Sequence, residues 1–212
     1  MLEIITYNVD ELISTQKFSQ TLSLMPKQRQ DKVLAYHFDK DQRLALGAGF
    51  LLHNWLQKHS ISFKDVKIAL SPYGKESFLD YPNWHYSLSH AGHYAVLAIA
   101  NRPIGVDIEE VKSFDKFIFQ NLKAYYTKEE IEQIEICNNE EQKAKLCARF
   151  WTWKESYMKA LGLGFNLILQ SFAVQINDAK QGSFLYPENA KAYSLHTFKA
   201  PLGYVLSYCI KN

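Results

Sequence analysis

Apolar and polar positions alternate over several short stretches, and each stretch predicts a β-strand. In extended backbone, successive side chains point to opposite faces, so Val106 and Ile108 share one face of the segment 104–110 while Asp107 and Glu109 share the other. We therefore predict a half-buried strand whose polar face carries two neighbouring carboxylates; a strand edge with ordinary surface acids is the alternative. Further strands are predicted at residues 2–9, 66–70, 84–89, 94–100, 171–177, 192–198 and 203–210.

A helical pattern covers residues 140–161. Its apolar positions recur three or four residues apart, which places them on one helix face. These positions are Leu146, Phe150, Trp153, Tyr157 and Leu161. Trp151, Glu155 and Lys159 are spaced four apart on the opposite side, where residues four apart are neighbours. The pattern predicts a helix that ends at Gly162 and carries a carboxylate one turn from a lysine, although an ordinary Glu–Lys helix pair explains the same spacing.

Two other helix starts carry the capping-box pattern, in which a side chain at the N-cap and one three residues later satisfy each other's backbone N–H groups. Asp39 with Gln42 predicts the start of a helix that ends near His59, and Thr127 with Glu130 predicts the start of a second helix. The first helix is predicted to carry an apolar stripe on one face, formed by Leu44, Ala48, Leu51, Leu52 and Trp55. The short turn at residues 101–103 predicts that strands 94–100 and 104–110 form a hairpin.

Two segments together resemble the signature of the Sfp-type, two-lobed 4'-phosphopantetheinyl transferases. The first is Gly-Val-Asp-Ile-Glu at residues 105–109, and the second is Trp-Thr-Trp-Lys-Glu-Ser-Tyr-Met-Lys at residues 151–159. Gly74-Lys75 resembles a Gly-Lys-Pro motif of the same family, but Glu76 stands in the place of Pro. Ser89-His90 resembles a Ser-His pair of the family, with Ser87 in place of Asn.

The resemblance implies an α+β fold of two similar lobes related by a pseudo-twofold axis, each with helices packed on a small antiparallel sheet. We expect an N-terminal lobe at residues 1–102 and a C-terminal lobe with the metal-binding motifs at residues 103–212. A faint internal repeat agrees with this duplication, since residues 45–50 resemble residues 160–165. Chance similarity of two apolar hexapeptides is the alternative.

The resemblance also implies a set of site residues. Asp107, Glu109 and Glu155 would hold Mg²⁺, for which carboxylate oxygens are preferred ligands. The catalytic residues would be Glu155, Lys159 and Glu130, of which Glu130 is equally explained by its capping box. The groups expected to bind coenzyme A are Arg43, Lys75, Ser89, His90, Lys159 and Lys27, with Lys32 as a further phosphate contact.

The implied reaction moves the 4'-phosphopantetheine arm of coenzyme A to a serine of an apo acyl or peptidyl carrier protein and releases adenosine 3',5'-bisphosphate. The base that takes the serine proton is left open among Glu155, Glu130 and a metal-bound water. The basic and apolar residues of segment 112–126 are a candidate docking surface for the carrier, and a core helix is the alternative. Two rival functions use the same residues: a metal-dependent phosphoesterase, or a non-catalytic protein that binds coenzyme A or a carrier.

Composition narrows the classes of partner and the cellular location that we expect. The net charge of +2 and the lack of a basic stripe argue against nucleic acid and membrane surfaces as partners. The N-terminus has no basic segment followed by an apolar run, so no signal peptide is predicted, and we expect a cytoplasmic protein with reduced thiols at Cys137, Cys147 and Cys209. The family resemblance implies a monomer.

Overall fold

The structure, a computed structural model, describes residues 1–114 and 116–212, without the side chains of Lys116, Phe117 and Phe165. This part of the chain has an α+β architecture of helices and antiparallel sheets. The helices are α1 (Thr15–Ser23), α2 (Lys27–Leu34), α3 (Asp39–Lys58), α4 (Lys116–Gln120), α5 (Leu122–Tyr125), α6 (Lys128–Glu135) and α7 (Glu140–Leu161). The strands are β1 (Leu2–Asn8), β2 (Ile68–Leu70), β3 (Glu76–Phe78), β4 (His85–Ala91), β5 (Tyr94–Ala100), β6 (Ile104–Glu110), β7 (Ala173–Ile176), β8 (Gln181–Tyr186), β9 (Tyr193–Phe198) and β10 (Tyr204–Lys211).

The strands form a three-stranded sheet in the order β1-β5-β4, a five-stranded sheet in the order β6-β10-β9-β8-β7, and a small β2-β3 pair. The predicted hairpin of β5 and β6 is wrong. Strand β5 pairs with β1 on one side and β4 on the other, so both of its hydrogen-bonding edges are occupied. Strand β6 pairs with β10 instead, and the turn at residues 101–103 carries the chain from one sheet to the other.

Helix α3 forms the N-terminal core on the face of β5. The predicted apolar stripe is confirmed, since Leu52 and Trp55 are fully buried with Leu97 of β5. The capping box predicted at Asp39 is wrong: Phe38 is the N-cap, and Gln42 donates to the backbone oxygen of Tyr36 instead. Asp39 still lies in the first turn, where the positive end of the helix dipole stabilises its negative charge.

Helix α7 begins and ends at the predicted residues and packs on β6 and β10. The contact with β6 is unusually close at Gly105, where an added Cβ would lie 1.9 Å from the backbone oxygen of Ser156. The absence of a side chain at residue 105 therefore sets how near the helix comes to the strand. Gly162 ends the helix in the left-handed conformation with φ of 73°.

The two halves meet where β4 lies beside β6. The serine hydroxyls of β4 replace a backbone ladder at this seam: Ser87 Oγ accepts from Val106 N at 3.1 Å and Ser89 Oγ accepts from Ile108 N at 3.4 Å. A buried apolar cluster behind the seam contains residues of β5, β6 and β10, including Val96 and Leu206. The halves are thus joined by both hydrogen bonds and a shared core.

The hexapeptides that suggested an internal repeat do not occupy equivalent places. Residues 45–50 lie in the middle of α3, where Gly47 lets the helix approach β1 and β5, whereas residues 160–165 form the end of α7 and the turn after it. Each half nevertheless has one long helix packed on an antiparallel sheet.

In segment 112–126, two aromatic residues have the positions expected of a core helix and not those expected of a docking surface. Phe114 is buried and Phe119 packs against the C-terminal core. Lys112 pairs with Glu110 at 2.8 Å. The predicted contributions of the Lys116 and Phe117 side chains lie outside the described part of the chain.

The three cysteines are free thiols, and Cys147 and Cys209 are buried. Across residues 1–114 and 116–212, the helices fall short of the length and apolar character that a bilayer span requires.

Candidate active site

A cavity of about 520 Å³ opens at the seam between the two halves. One wall comes from β6 and α7 and carries Asp107, Glu109, Glu155 and Lys159. The other comes from α2, β3, β4 and the loop before β3. Its polar side chains include Arg29, Lys32, Lys75, Glu76, Tyr86, Ser87, Ser89 and His90. The volume is within the range of about 300–1,000 Å³ that small ligands and cofactors usually occupy.

Asp107 lies at the centre of the first wall. Its strand was predicted to be half-buried, but the Asp107 side chain faces the seam and only 3% of the residue is exposed. Its Oδ1 accepts from Ser89 Oγ at 2.8 Å and from Lys159 Nζ at 2.6 Å. Its Oδ2 is buried and accepts no hydrogen bond within the described part of the chain.

Glu155 lies on the cavity side of α7, as its spacing predicted, and is 9% exposed. Its Oε1 is a second buried carboxylate oxygen that has no hydrogen-bond partner among the described residues. Burial raises the pKa of Glu155 to about 7, and the charge of Asp107 adds to this rise while Lys159 opposes it. Burial, followed by the charge of Asp107, likewise raises the pKa of Glu109 to about 7.

Burial is the first cause of both rises, and the charge of Asp107 is the second. In the described ranges, no group of three or more His, Cys, Asp or Glu side chains has an arrangement that could hold a metal ion. The predicted ligands Asp107, Glu109 and Glu155 nevertheless line the same cavity, and Lys159 is the cation beside Asp107.

Lys75 was predicted as a phosphate contact, and it lines the cavity with its ammonium turned inward. Its Nζ donates to the backbone oxygens of Ile104 at 3.0 Å and Ala160 at 3.1 Å, and to that of Lys159. The carbonyls of Lys159 and Ala160 belong to the final turn of α7, where the negative end of the helix dipole stabilises a cation. Burial lowers the pKa of Lys75 to about 8.

Ser89 and His90 lie at the cavity as predicted, Ser89 buried against Asp107 and His90 exposed at the edge. Arg43 and Lys27 are not brought to the cavity. The Nε of Arg43 is buried and unpaired within the described residues, and Lys27 is an exposed side chain paired with Asp31 at 2.7 Å. Their predicted phosphate contacts stay predictions that this arrangement does not support.

Glu130 is also not brought to the cavity. Its carboxylate is fully buried and accepts from Lys154 Nζ at 2.7 and 2.8 Å, and from the backbone N of Thr127 and Val174 at 2.9 and 3.0 Å. The capping box of Thr127 and Glu130 is confirmed. The geometry thus places Glu130 in the interior of the C-terminal half, and its role as the base stays a prediction that this arrangement does not support.

Sequence reasoning missed Arg29, Glu76 and Tyr86, which lie on the second wall. Glu76 was noted only as a departure from the Gly-Lys-Pro motif. Arg29 and Lys32 are three residues apart on α2 and therefore share a helix face, which was a usable signal.

Comparisons with known proteins agree with the two motifs. The family model for the 4'-phosphopantetheinyl transferase superfamily matches residues 103–209, and the model for the N-terminal region of a 4'-phosphopantetheinyl transferase matches residues 13–102. The chain is 25% identical over 202 residues to the 4'-phosphopantetheinyl transferase ffp of Bacillus subtilis. The alignment covers 95% of this chain and 88% of that protein. It is 28% identical over 216 residues to the 4'-phosphopantetheinyl transferase gsp of Aneurinibacillus migulanus. This alignment covers 99% of this chain and 86% of that protein.

Among solved structures, a holo-(acyl-carrier-protein) synthase from Bacillus anthracis in complex with CoA (3',5'-ADP) matches with a TM-score of 0.43 and 17% identity, over 51% of this chain and 94% of that one. The family predicted from the motifs on β6 and α7 is confirmed by the family model, which spans both motifs and half of the sequence. The family models that match both halves, together with the two motifs and the cavity that they line, show that the chain belongs to the 4'-phosphopantetheinyl transferase superfamily.

Proposed function

We propose that this protein transfers the 4'-phosphopantetheine arm of coenzyme A to a serine hydroxyl of an apo acyl or peptidyl carrier protein in a Mg²⁺-dependent reaction. The observation that carries the proposal is the cavity at the seam, which places three carboxylates and Lys159 on one wall and further cations on the other. A diphosphate is stabilised by nearby cations, and Lys159 with the proposed metal ion would supply them at the carboxylate wall. The family to which the chain belongs supports the same reaction.

The donor set fits a magnesium ion in its chemistry, although its three carboxylates are not grouped around one point within the described residues. Asp107 and Glu155 each present a buried carboxylate oxygen that lacks a partner in the described part of the chain, and such oxygens are rarely left unsatisfied. Oxygen ligands are those that Mg²⁺ prefers, and a bound cation would offset the burial and the neighbouring Asp107 charge that raise the pKa of Glu109 and Glu155. Asp107, Glu109 and Glu155 would hold the ion, which when bound would polarise the diphosphate as a Lewis acid.

In this reaction the serine oxygen attacks the phosphorus that bears the pantetheine arm. The bond from that phosphorus to the leaving adenosine 3',5'-bisphosphate breaks, and the serine proton passes to a base. Lys159 would stabilise the charge that develops on the leaving phosphate, because its ammonium already faces the carboxylate wall. Of the predicted bases, Glu155 lines the cavity, and a metal-bound water is the alternative to it.

The finer predictions belong to the same proposal. The division at residue 102 is supported by one core built around α3 and another around α7. A cytoplasmic location and a monomeric state stay predictions from the sequence.

Intact-mass measurement on a panel of apo carrier proteins tests the proposal. With coenzyme A and Mg²⁺, a carrier should gain the mass of the phosphopantetheine arm, and it should gain none when a chelator removes the metal or when its acceptor serine is replaced by alanine. Loss of the pantetheine arm from coenzyme A without an acceptor would favour the phosphoesterase. Binding of coenzyme A with no product on any carrier would favour the non-catalytic protein.

A further inference from the structure

The second wall of the cavity contains a carboxylate that the proposed reaction does not use. Glu76, which stands where the family motif has Pro, begins β3 and is part of the cavity lining. Its Oε2 accepts from Arg29 Nη2 and, at 3.1 Å, from the hydroxyl of Tyr86, while its Oε1 lies 3.6 Å from Lys32 Nζ. One carboxylate thus connects two cations and a phenol on this wall.

The pair of Arg29 and Glu76 is held in place by its surroundings. The side chains are only 9% and 16% exposed, and the guanidinium lies 5.8 Å from the centre of the Phe63 ring. The stem of Arg29 runs beside Gly49 of α3, where an added Cβ would lie 3.1 Å from Arg29 Cδ. Arg29 therefore has little freedom to leave Glu76 for another anion, and an incoming anion must compete with the carboxylate.

The lysine and arginine side chains that line the cavity in the described part of the chain are all engaged. Lys159 is paired with Asp107, Lys75 is bound to three backbone oxygens, and Arg29 and Lys32 face Glu76. Coenzyme A, the ligand under the proposed function, carries a diphosphate and a separate 3'-phosphate. If the diphosphate lies at the carboxylate wall, Arg29 and Lys32 are the cations left for the 3'-phosphate.

We propose that Glu76 is a specificity-determining residue that occupies the cations of the second wall and so reduces the contribution of the 3'-phosphate of coenzyme A to binding. The inference rests on the proposed function for the identity of the ligand. It follows that the wild-type protein distinguishes weakly between coenzyme A and 3'-dephospho-coenzyme A. Removal of the Glu76 charge frees Arg29 and Lys32 for the phosphate, to which a guanidinium binds in a forked geometry.

Calorimetric titration with coenzyme A and with 3'-dephospho-coenzyme A, both in the presence of Mg²⁺, tests the inference. For Glu76→Gln we expect about tenfold tighter binding of coenzyme A, which is about 1.4 kcal/mol, and a change of less than about twofold for the dephospho compound. Glu11→Gln is the matched control, because Glu11 also pairs with a lysine, Lys17 at 2.9 Å, but lies on the surface outside the cavity. It should change neither affinity.

An unchanged ratio of the two affinities in Glu76→Gln would overturn the inference, and so would weaker binding of coenzyme A, because Glu76 would then hold the cations in place for the phosphate. If the wild-type protein bound neither compound, the proposed function would fail and the inference with it. If both bound and only the ratio stayed fixed, the inference alone would fail.

Lys32→Gln keeps the test available if Glu76→Gln does not fold, because Lys32 is 59% exposed and outside the core. With Glu76 present, the loss of Lys32 should weaken coenzyme A binding by less than about threefold, since the lysine charge is already partly neutralised. A loss of tenfold or more, restricted to the compound with the 3'-phosphate, would overturn the inference.

Discussion

Lys159 Nζ lies 2.6 Å from Asp107 Oδ1 and 3.0 Å from Ser89 Oγ, and so joins helix α7, strand β6 and strand β4 at a single point. Asp107 and Lys159 are far apart in sequence and belong to the two motifs that identify the family. Their contact places a cation beside the predicted metal ligands and at the seam of the two halves.

Asp107→Asn and Lys159→Met should each lower kcat/KM for carrier modification by about 10²-fold or more. The first removes the charge of a predicted metal ligand, and the second removes a cation that would stabilise the leaving phosphate. Initial rates at saturating Mg²⁺ and coenzyme A provide the measurement. Lys191→Met, which removes a surface lysine paired with Glu188, should leave the rate unchanged. Activity of Lys159→Met within threefold of the wild-type rate would contradict the assignment of Lys159.

The raised pKa of Glu155 predicts how metal-free stability depends on pH. A carboxyl with a pKa of about 7 in the folded state and about 4.5 in the unfolded state binds more protons when folded. Its contribution to the free energy of unfolding is therefore fully present below pH 4.5 and is lost as the pH rises towards 7 and above. In chelator, denaturant titrations of Glu155→Gln should show a smaller loss of stability over this pH range than the wild-type protein.

Added Mg²⁺ should restore stability to the wild-type protein above pH 7 more than to Glu155→Gln, because a ligand that binds the folded state stabilises it. Glu188→Gln, at an exposed position, serves as the control and should behave as the wild-type protein does. Identical pH profiles for wild type and Glu155→Gln would show that this carboxyl titrates normally.

The Lys154–Glu130 pair predicts a structural effect without a catalytic one. Both side chains are fully buried, so Lys154→Met or Glu130→Gln leaves a buried charge unpaired and should lower the free energy of unfolding by about 3–5 kcal/mol. Glu132→Gln, in an exposed pair with Lys128 on the same helix, should change stability by less than about 1 kcal/mol.

The folded fraction of Glu130→Gln should retain transfer activity within a few-fold of the wild-type rate, as measured by product formed per folded molecule. A loss of 10³-fold in a stable Glu130→Gln variant would instead support Glu130 as the base.

Lys75→Met should distinguish a structural role of this lysine, in which it binds backbone oxygens, from the phosphate contact that its motif predicts. The variant keeps the aliphatic stem beside Gly162 but removes the donor to three backbone oxygens, and we expect a loss of about 1–3 kcal/mol in the free energy of unfolding. Because these oxygens lie at the start of β6 and the end of α7, kcat should fall while KM for coenzyme A changes by less than about twofold. Lys67→Met, at an exposed position, is the control. A large rise in KM with unchanged stability would instead support the phosphate contact that the motif predicts.

Local pattern predicted the parts of the molecule that depend on nearby residues. The bounds of α7 and β6, the apolar stripe of α3 and the capping box at Thr127 were all readable, because helical and extended periodicity and cap hydrogen bonds involve neighbours in sequence. The failed capping box at Asp39 shows the limit of such patterns. A neighbouring backbone oxygen, that of Tyr36, competed successfully for Gln42.

The sequence by itself determined the family, the two motifs and the strand and helix that carry them. Only the tertiary structure decided that β5 and β6 belong to different sheets, that Glu130 is paired in the interior, and that Glu76 pairs with Arg29 on one wall of the cavity. The physical reason is that a carboxylate has the same local pattern whether it meets a lysine, a metal or water. Its partner is selected by which distant segments the packing of α7 against β6 brings within hydrogen-bonding distance.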